Sequence, residues 1–306
     1  MMPGVGSRFF RPGLLRRIQH PGFQGKVAEP QFFEHQQKGE GFIMANQNFE
    51  EAADLIRNNL RLKTFPLAVK FLKDKKDFPE KTRQPSVVLG KRVAICQAVT
   101  MARVYGWTVG LAREDIVCVP AAIAFGFSTS ADSGASLGRL FCEGSYSQSE
   151  DTGRKEAASI QRLEKGEYEA ILIAPLHRAT FEPDTVACYG NPAQLMRLVH
   201  AWTYREGRRV KGSFGGKVEC TEYLLAPFKD QAPRIAIPGT GDRVFSMTQD
   251  DEMVFALPGK FLTALVQDLG EAGKKVGAQY PIPVYLNFQP EFPKNFKDLG
   301  KELGIL

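Results

Sequence analysis

No stretch of this sequence is long and apolar enough to cross a bilayer. Its longest charge-free run, Ile116 to Ala131, has 16 residues and is interrupted by Pro120 and Gly126. Close cysteine pairs are missing as well: Cys96, Cys118, Cys142, Cys188 and Cys220 stand 22, 24, 46 and 32 residues apart. Without a Cys-x-x-Cys or a close Cys/His pair there is no zinc ribbon and no local iron–sulfur signature. An odd number of dispersed cysteines also argues against a disulfide framework. Histidine is scarce, at four in 306 residues, and none lies in a motif marking a Ser-His-Asp or Cys-His machine.

Acidic residues are absent before Glu29. Residues 1–43 carry six Lys/Arg against three Glu, with Gly or Pro every few positions and no apolar periodicity. Leu14-Leu15 runs at once into Arg16-Arg17, so there is no secretory h-region. A transit peptide suits the missing acids but not the shortage of Ser or the prolines. Lys38-Gly39-Glu40 can be encoded by a purine-rich ribosome-binding sequence a few codons before Met44. We therefore expect residues 1–43 to be a disordered leader upstream of a start at Met44, and 44–306 to form one domain. Half of the net charge of +6 falls in the leader, which leaves the body nearly neutral and without a stripe for nucleic acid. Arg205, Arg208, Arg209 and Lys211 read as the solvated end of a helix, where cations suit the dipole.

The body is folded-protein material, 43% hydrophobic and 24% charged over the whole chain. Asn48-Phe49-Glu50-Glu51 opens a helix to about Leu60. Strands are expected at 66–72, 107–111, 168–175, 186–189, 233–237 and 252–257. Helices are expected at 93–105, after Pro120, and at 152–163, 192–205, 219–226, 259–270 and 294–303. Residues 76–91 read as loop, and the Ser/Gly-rich stretch 128–152 as a mobile one. The order strand, helix, glycine break, cysteine recurs: 67–72, 93–105 and Cys118, then 186–189, 192–205 and Cys220. This predicts an α/β or α+β protein with a mixed sheet and two similarly arranged halves, 66–127 and 185–228, that superpose as strand–helix units.

Six ordered blocks are specific enough to resemble a family. They are Pro66-Leu-Ala-Val-Lys-Phe-Leu-Lys73, Cys96-Gln-Ala-Val-Thr-Met-Ala-Arg-Val-Tyr-Gly-Trp107, Lys165-Gly-Glu-Tyr-Glu-Ala-Ile-Leu-Ile-Ala-Pro175, Tyr189-Gly-Asn-Pro-Ala-Gln-Leu-Met196, Gly239-Thr-Gly-Asp-Arg-Val-Phe245 with Thr248-Gln-Asp-Asp251, and Tyr280-Pro-Ile-Pro-Val-Tyr285. Together, over roughly residues 47 to 293, they resemble the DUF169 family of archaea and anaerobic or facultative bacteria. The resemblance implies a prokaryotic cytoplasmic protein and carries no activity with it.

Two function classes compete. Cys118 and Cys220 each precede a helix start, where backbone amides and the dipole favour thiolate and should depress the thiol pKa. With Cys142, in Arg139-Leu-Phe-Cys-Glu-Gly, they make three dispersed ligands for an iron–sulfur cluster or another metal, or a thiol-redox site. Cys96 and Cys188 read as small buried hydrophobes. The other class is an anionic small-molecule pocket at Asn191, where a helix starts beyond a strand, and at Gly239, Gly241, Asp242 and Arg243. His200 reads as half-buried on a helix, and His177 follows a strand end.

Overall fold

A computed structural model describes residues 49–128, 133–282, 286 and 291–306. The leader 1–43 and the expected start at Met44 lie outside the described residues. In chain order the elements are α1 (Phe49–Leu60), β1 (Leu67–Leu72), α2 (Pro85–Val88), α3 (Ile95–Arg103), β2 (Val109–Ala112), α4 (Val119–Ala124), α5 (Ser133–Glu143), α6 (Glu150–Ser159) and β3 (Ala170–Pro175). There follow β4 (Thr185–Gly190), α7 (Pro192–Glu206), β5 (Lys211–Gly212), a π-helical turn over Thr221–Leu225, α8 (Ala226–Asp230), β6 (Arg234–Ala236), α9 (Thr240–Phe245), β7 (Met253–Pro258), α10 (Leu262–Leu269) and α11 (Lys294–Glu302).

The strands make one mixed sheet in the order β2-β3-β1-β4-β7-β6-β5, antiparallel throughout except for the short parallel pair β5–β6. Side chains alternate between two cores. Leu67, Val69 and Phe71 of β1, Ala187 and Tyr189 of β4, and Val254 and Ala256 of β7 face α3, α4 and the π turn. Ala68, Val186, Cys188, Phe255 and Leu257 face α1, α7 and α10. Burial on both faces explains why these strands read as unbroken apolar runs. The result is an α/β fold of three layers.

The two halves do not superpose as strand–helix units. β1 and β4 are antiparallel neighbours, paired Leu67 with Ala187 and Val69 with Thr185. An axis relating two such strands is normal to the sheet and maps each face onto itself. Yet α3 packs on one face and α7 on the other. The connections are the reason. Gly190 and Asn191 turn straight into α7, whereas a long segment, 73–94, separates β1 from α3 and lets the chain choose its face.

The described part of the Ser/Gly-rich stretch, 133–152, is largely helical and not a loop. It forms the hairpin of α5 and α6. A Cβ on Gly153 would lie 2.3 Å from the carbonyl oxygen of Gly138, and one on Gly138 would lie 2.8 Å from the backbone nitrogen of Arg154. Glycine serves here to let two helices touch backbone to backbone. Leu137, Phe141 and Ala157 then pack on Ile123 of α4 and on Val218, so the hairpin flanks the loops that carry two of the cysteines.

Candidate functional site

Four helix starts meet above one face of the sheet. The chain entering α3 and the chain entering α4 are held together by Val93, whose N–H donates to Asp115 O at 2.7 Å and whose carbonyl accepts from Val117 N at 3.0 Å. That pairing sets Cys96, in the first turn of α3, beside Cys118, the N-cap of α4. The loop before the π turn closes through Thr221, whose N–H and hydroxyl both bond to Val218 O, at 3.0 and 2.9 Å. This brings in Cys220, whose Sγ lies 3.8 Å from the same carbonyl. The loop opening α9 joins through Thr240 N–H to Gly216 O at 2.9 Å. It needs glycine at 239, because a Cβ there would stand 2.7 Å from Gly216 O. Gly241 then lies against Cys96, its Cβ position 3.7 Å from Sγ.

At the centre is Asp242, only 4% exposed. Its Oδ1 accepts from Tyr223 at 2.7 Å and from Tyr189 at 3.4 Å, and its Oδ2 from Gly239 N–H at 3.3 Å. The Tyr189 ring is covered by the guanidinium of Arg103 at 4.2 Å. Arg103 is itself paired two-pronged with Glu252, at 2.8 and 3.2 Å. A second buried carboxylate, Glu219, accepts from Gly215 and Gly216 N–H through Oε1 at 2.6 Å each, while its Oε2 is buried with no partner. Burial pushes the Glu219 pKa up to about 7 against the pull of those two amides. Burial also raises Asp242, opposed by its hydrogen bonds to Tyr223, Gly239 and Tyr189 and by Arg103.

Cys96 and Cys118 share this corner of the fold with Cys220. Cys96, Cys118 and Asp242 all lie within electrostatic reach of Cys220. The expected depression of the thiol pKa values is overturned. Cys96 is raised to about 12, mainly by burial and then by the charge of Asp242. Cys118 is raised by burial and Asp242 against a backbone hydrogen bond, and Cys220 well above its usual value by burial and the neighbouring thiols. Desolvation outweighs the helix-start amides, so the resting thiols are protonated. Cys142 sits half-buried near the end of α5, next to Phe141, which packs with Val218 and Ile123, and Cys188 is fully buried in β4 on the opposite face. Among the described residues no three His, Cys, Asp or Glu side chains are grouped so as to hold a metal ion.

The residues read as an anion pocket are partnered inside the protein. Asn191 and Gln194 cap each other across the start of α7, at 2.8 and 2.9 Å, and Gln194 also donates to Leu60 O at 2.8 Å. Gly239 N–H is taken by Asp242, which adds a negative group where an anion was expected. Arg243 donates to Gln249 O at 2.8 Å and lies 3.8 Å from Asp250, and Gly241 faces the Cys96 thiol. The His177 ring packs tilted against Phe65, centroids 4.6 Å apart, and His200 lies 3.4 Å from Arg197; burial lowers the pKa of both. Sequence reasoning missed Glu219, Tyr189, Tyr223 and Arg103. The one local signal was Gly215-Gly216 three residues before a carboxylate, the spacing of a side chain that caps its own loop.

The sequence model of DUF169, described as an uncharacterised ArCR family, matches residues 55–268. The chain belongs to the DUF169 family. The matched span includes all of the thiol cluster and the whole sheet of this DUF169 protein. It is also similar to an uncharacterized protein of Methanocaldococcus jannaschii, with 26% identity over 223 residues that cover 72% of this chain and 93% of the relative. No solved structure matches it. Among the described residues of the DUF169 protein no helix is long and apolar enough to cross a membrane.

Proposed function

We propose that this DUF169 protein is a cysteine-dependent iron–sulfur protein, with Cys96, Cys118 and Cys220 as the cluster ligands. One observation carries the reading: thiols from three separate segments converge around the buried carboxyl of Asp242. Five groups able to become anions, three thiols with Asp242 and Glu219, lie near one another, and two nearby cations, Arg103 and Lys217, are already paired with Glu252 and Glu156. Such a set is costly when ionised, which is why the protons stay on. A thiophilic cation centre would displace those protons and balance the charge.

The thiols are within electrostatic reach of one another without forming a single-ion group. An iron–sulfur cluster can take its thiolates from separate segments, such as those that carry these three cysteines. Three cysteines leave one iron position for a small-molecule ligand. Five free cysteines and the dispersed ligand set fit a reducing, cytoplasmic setting.

The test is purification without oxygen, followed by visible absorption and by iron and acid-labile sulfide analysis. The expected result is a coloured protein that loses its colour in Cys96→Ser, Cys118→Ser and Cys220→Ser and keeps it in Cys142→Ser and Cys188→Ser. A colourless, iron-free protein after anaerobic reconstitution overturns the reading, and so does colour that survives all three ligand substitutions.

A further inference from the structure

A concave site lies beyond the C-terminal end of α3, the opposite end of the helix from Cys96, roughly 10 Å along it at 1.5 Å per residue. It is a cleft of about 500 Å³ between the 79–83 loop, the turn that follows α3 at Gly106 to Thr108, and the segment after β3 at Arg178 to Thr180. That volume is within the usual range of small-molecule sites, about 300–1,000 Å³. Lys81, Arg83 and Arg178 line it against a single acid, Glu80. Among the described residues none of these three cations has a carboxylate partner.

Both arginines are fixed in place by the protein. Arg83 N–H donates to Thr108 O at 2.8 Å and its carbonyl accepts from Gly110 N–H at 3.1 Å, which ties its backbone to the start of β2. Its guanidinium then stacks over the Trp107 ring at 4.3 Å. Arg178 donates through Nη1 to Gly106 O at 2.9 Å, which orients the fork and leaves its other N–H groups for a ligand. Two arginines held this way, with a lysine beside them, match the charge and oxygen count of a phosphate better than those of one carboxylate. Pro79 and the indole of Trp107 add an apolar wall.

We propose that this cleft binds a phosphate monoester carrying an apolar group, its phosphate held by Arg83, Arg178 and Lys81 and its apolar part against Trp107 and Pro79. The site shares no residue with the thiol cluster and stands or falls independently of it.

Titration calorimetry of the full chain with phenyl phosphate tests it, with inorganic phosphate, benzoate and benzyl alcohol as the comparison ligands. Phenyl phosphate is expected to saturate at one per chain, more tightly than inorganic phosphate and benzoate, while benzyl alcohol does not bind. Arg83→Ala or Arg178→Ala should weaken it about tenfold or more, as loss of a charge-assisted hydrogen bond does. Arg178→Lys keeps the charge but not the fork, and serves if an alanine variant fails to fold. The chain has two tryptophans, so Trp202→Phe leaves Trp107 as the reporter of a fluorescence change on binding. Three results would overturn the assignment: no saturable binding at millimolar ligand, equal binding by wild type and both arginine variants, or benzoate bound as tightly as phenyl phosphate.

Discussion

Tyr223 donates its hydroxyl to Oδ1 of Asp242 at 2.7 Å, and both side chains are buried. The bond ties the π turn to α9 and keeps a desolvated carboxyl from being left without a donor. Tyr223→Phe should therefore cost about 1–3 kcal/mol in urea unfolding, the usual penalty for orphaning one end of a buried hydrogen bond. Tyr189→Phe should cost less, because its bond to the same oxygen is 3.4 Å long. Equal losses in the two variants would contradict the ranking.

Glu219 gives a pH signature in the metal-free protein. Its folded pKa is about 7, raised by burial from an ordinary 4.5. Between those values the folded state keeps a proton that the unfolded state has released. Stability should therefore fall as pH rises from about 4.5 to 7 and level off above, by roughly 1–3 kcal/mol from this group. Glu219→Gln keeps an acceptor for Gly215 and Gly216 and removes that contribution. Chemical unfolding of both proteins at several pH values between 4.5 and 8 checks it: identical slopes would show that Glu219 does not hold the proton.

The pair of Arg103 and Glu252 is buried on both sides, with side chains 1% and 7% exposed. Removing one partner leaves an uncompensated charge, so Glu252→Leu alone should destabilise by about 3–5 kcal/mol. The double substitution Arg103→Met with Glu252→Leu should recover most of that. A double mutant less stable than the single one would mean that the stacking of Arg103 on Tyr189 matters more than charge balance.

Alkylation of the native metal-free protein at pH 8 should rank the thiols by access and proton affinity. Cys142 and Cys118 are half-buried and should label first. Cys96 and Cys188, each pushed up to about 12, and Cys220, raised well above its usual value, should label slowly. Mass spectrometry of timed samples reads the order, and rapid labelling of Cys220 would contradict its burial.

Gly153→Ala should destabilise the α5–α6 hairpin by about 1–3 kcal/mol, because the new methyl meets Gly138 O at 2.3 Å and forces the helices apart. Thermal unfolding measures it. An unchanged or higher melting temperature would show that the crossing has room for a methyl.

Local physics made most of the elements legible in the sequence. The apolar runs at 66–72, 168–175 and 252–257 predict strands because a sheet covered on both faces buries every residue. Asn191-Pro192 predicts the start of α7 because Asn caps and Pro suits a first turn, and the structure confirms both roles. The stretch 128–152 misled because Ser and Gly describe a loop equally well when each helix is viewed alone; only the contact of Gly138 with Gly153 gives those glycines a use. Cys118 and Cys220 were legible as helix-start cysteines, but their protonation was not. The amide effect is local and visible in sequence, while the burial that outweighs it depends on what packs above. Cys96 joined them only because Val93 pairs with the chain at Asp115 and Val117, a contact between segments some 22 residues apart. The face taken by α3, the convergence of the three thiols on Asp242 and the unshared Oε2 of Glu219 were set by long-range packing, which no single-residue propensity encodes.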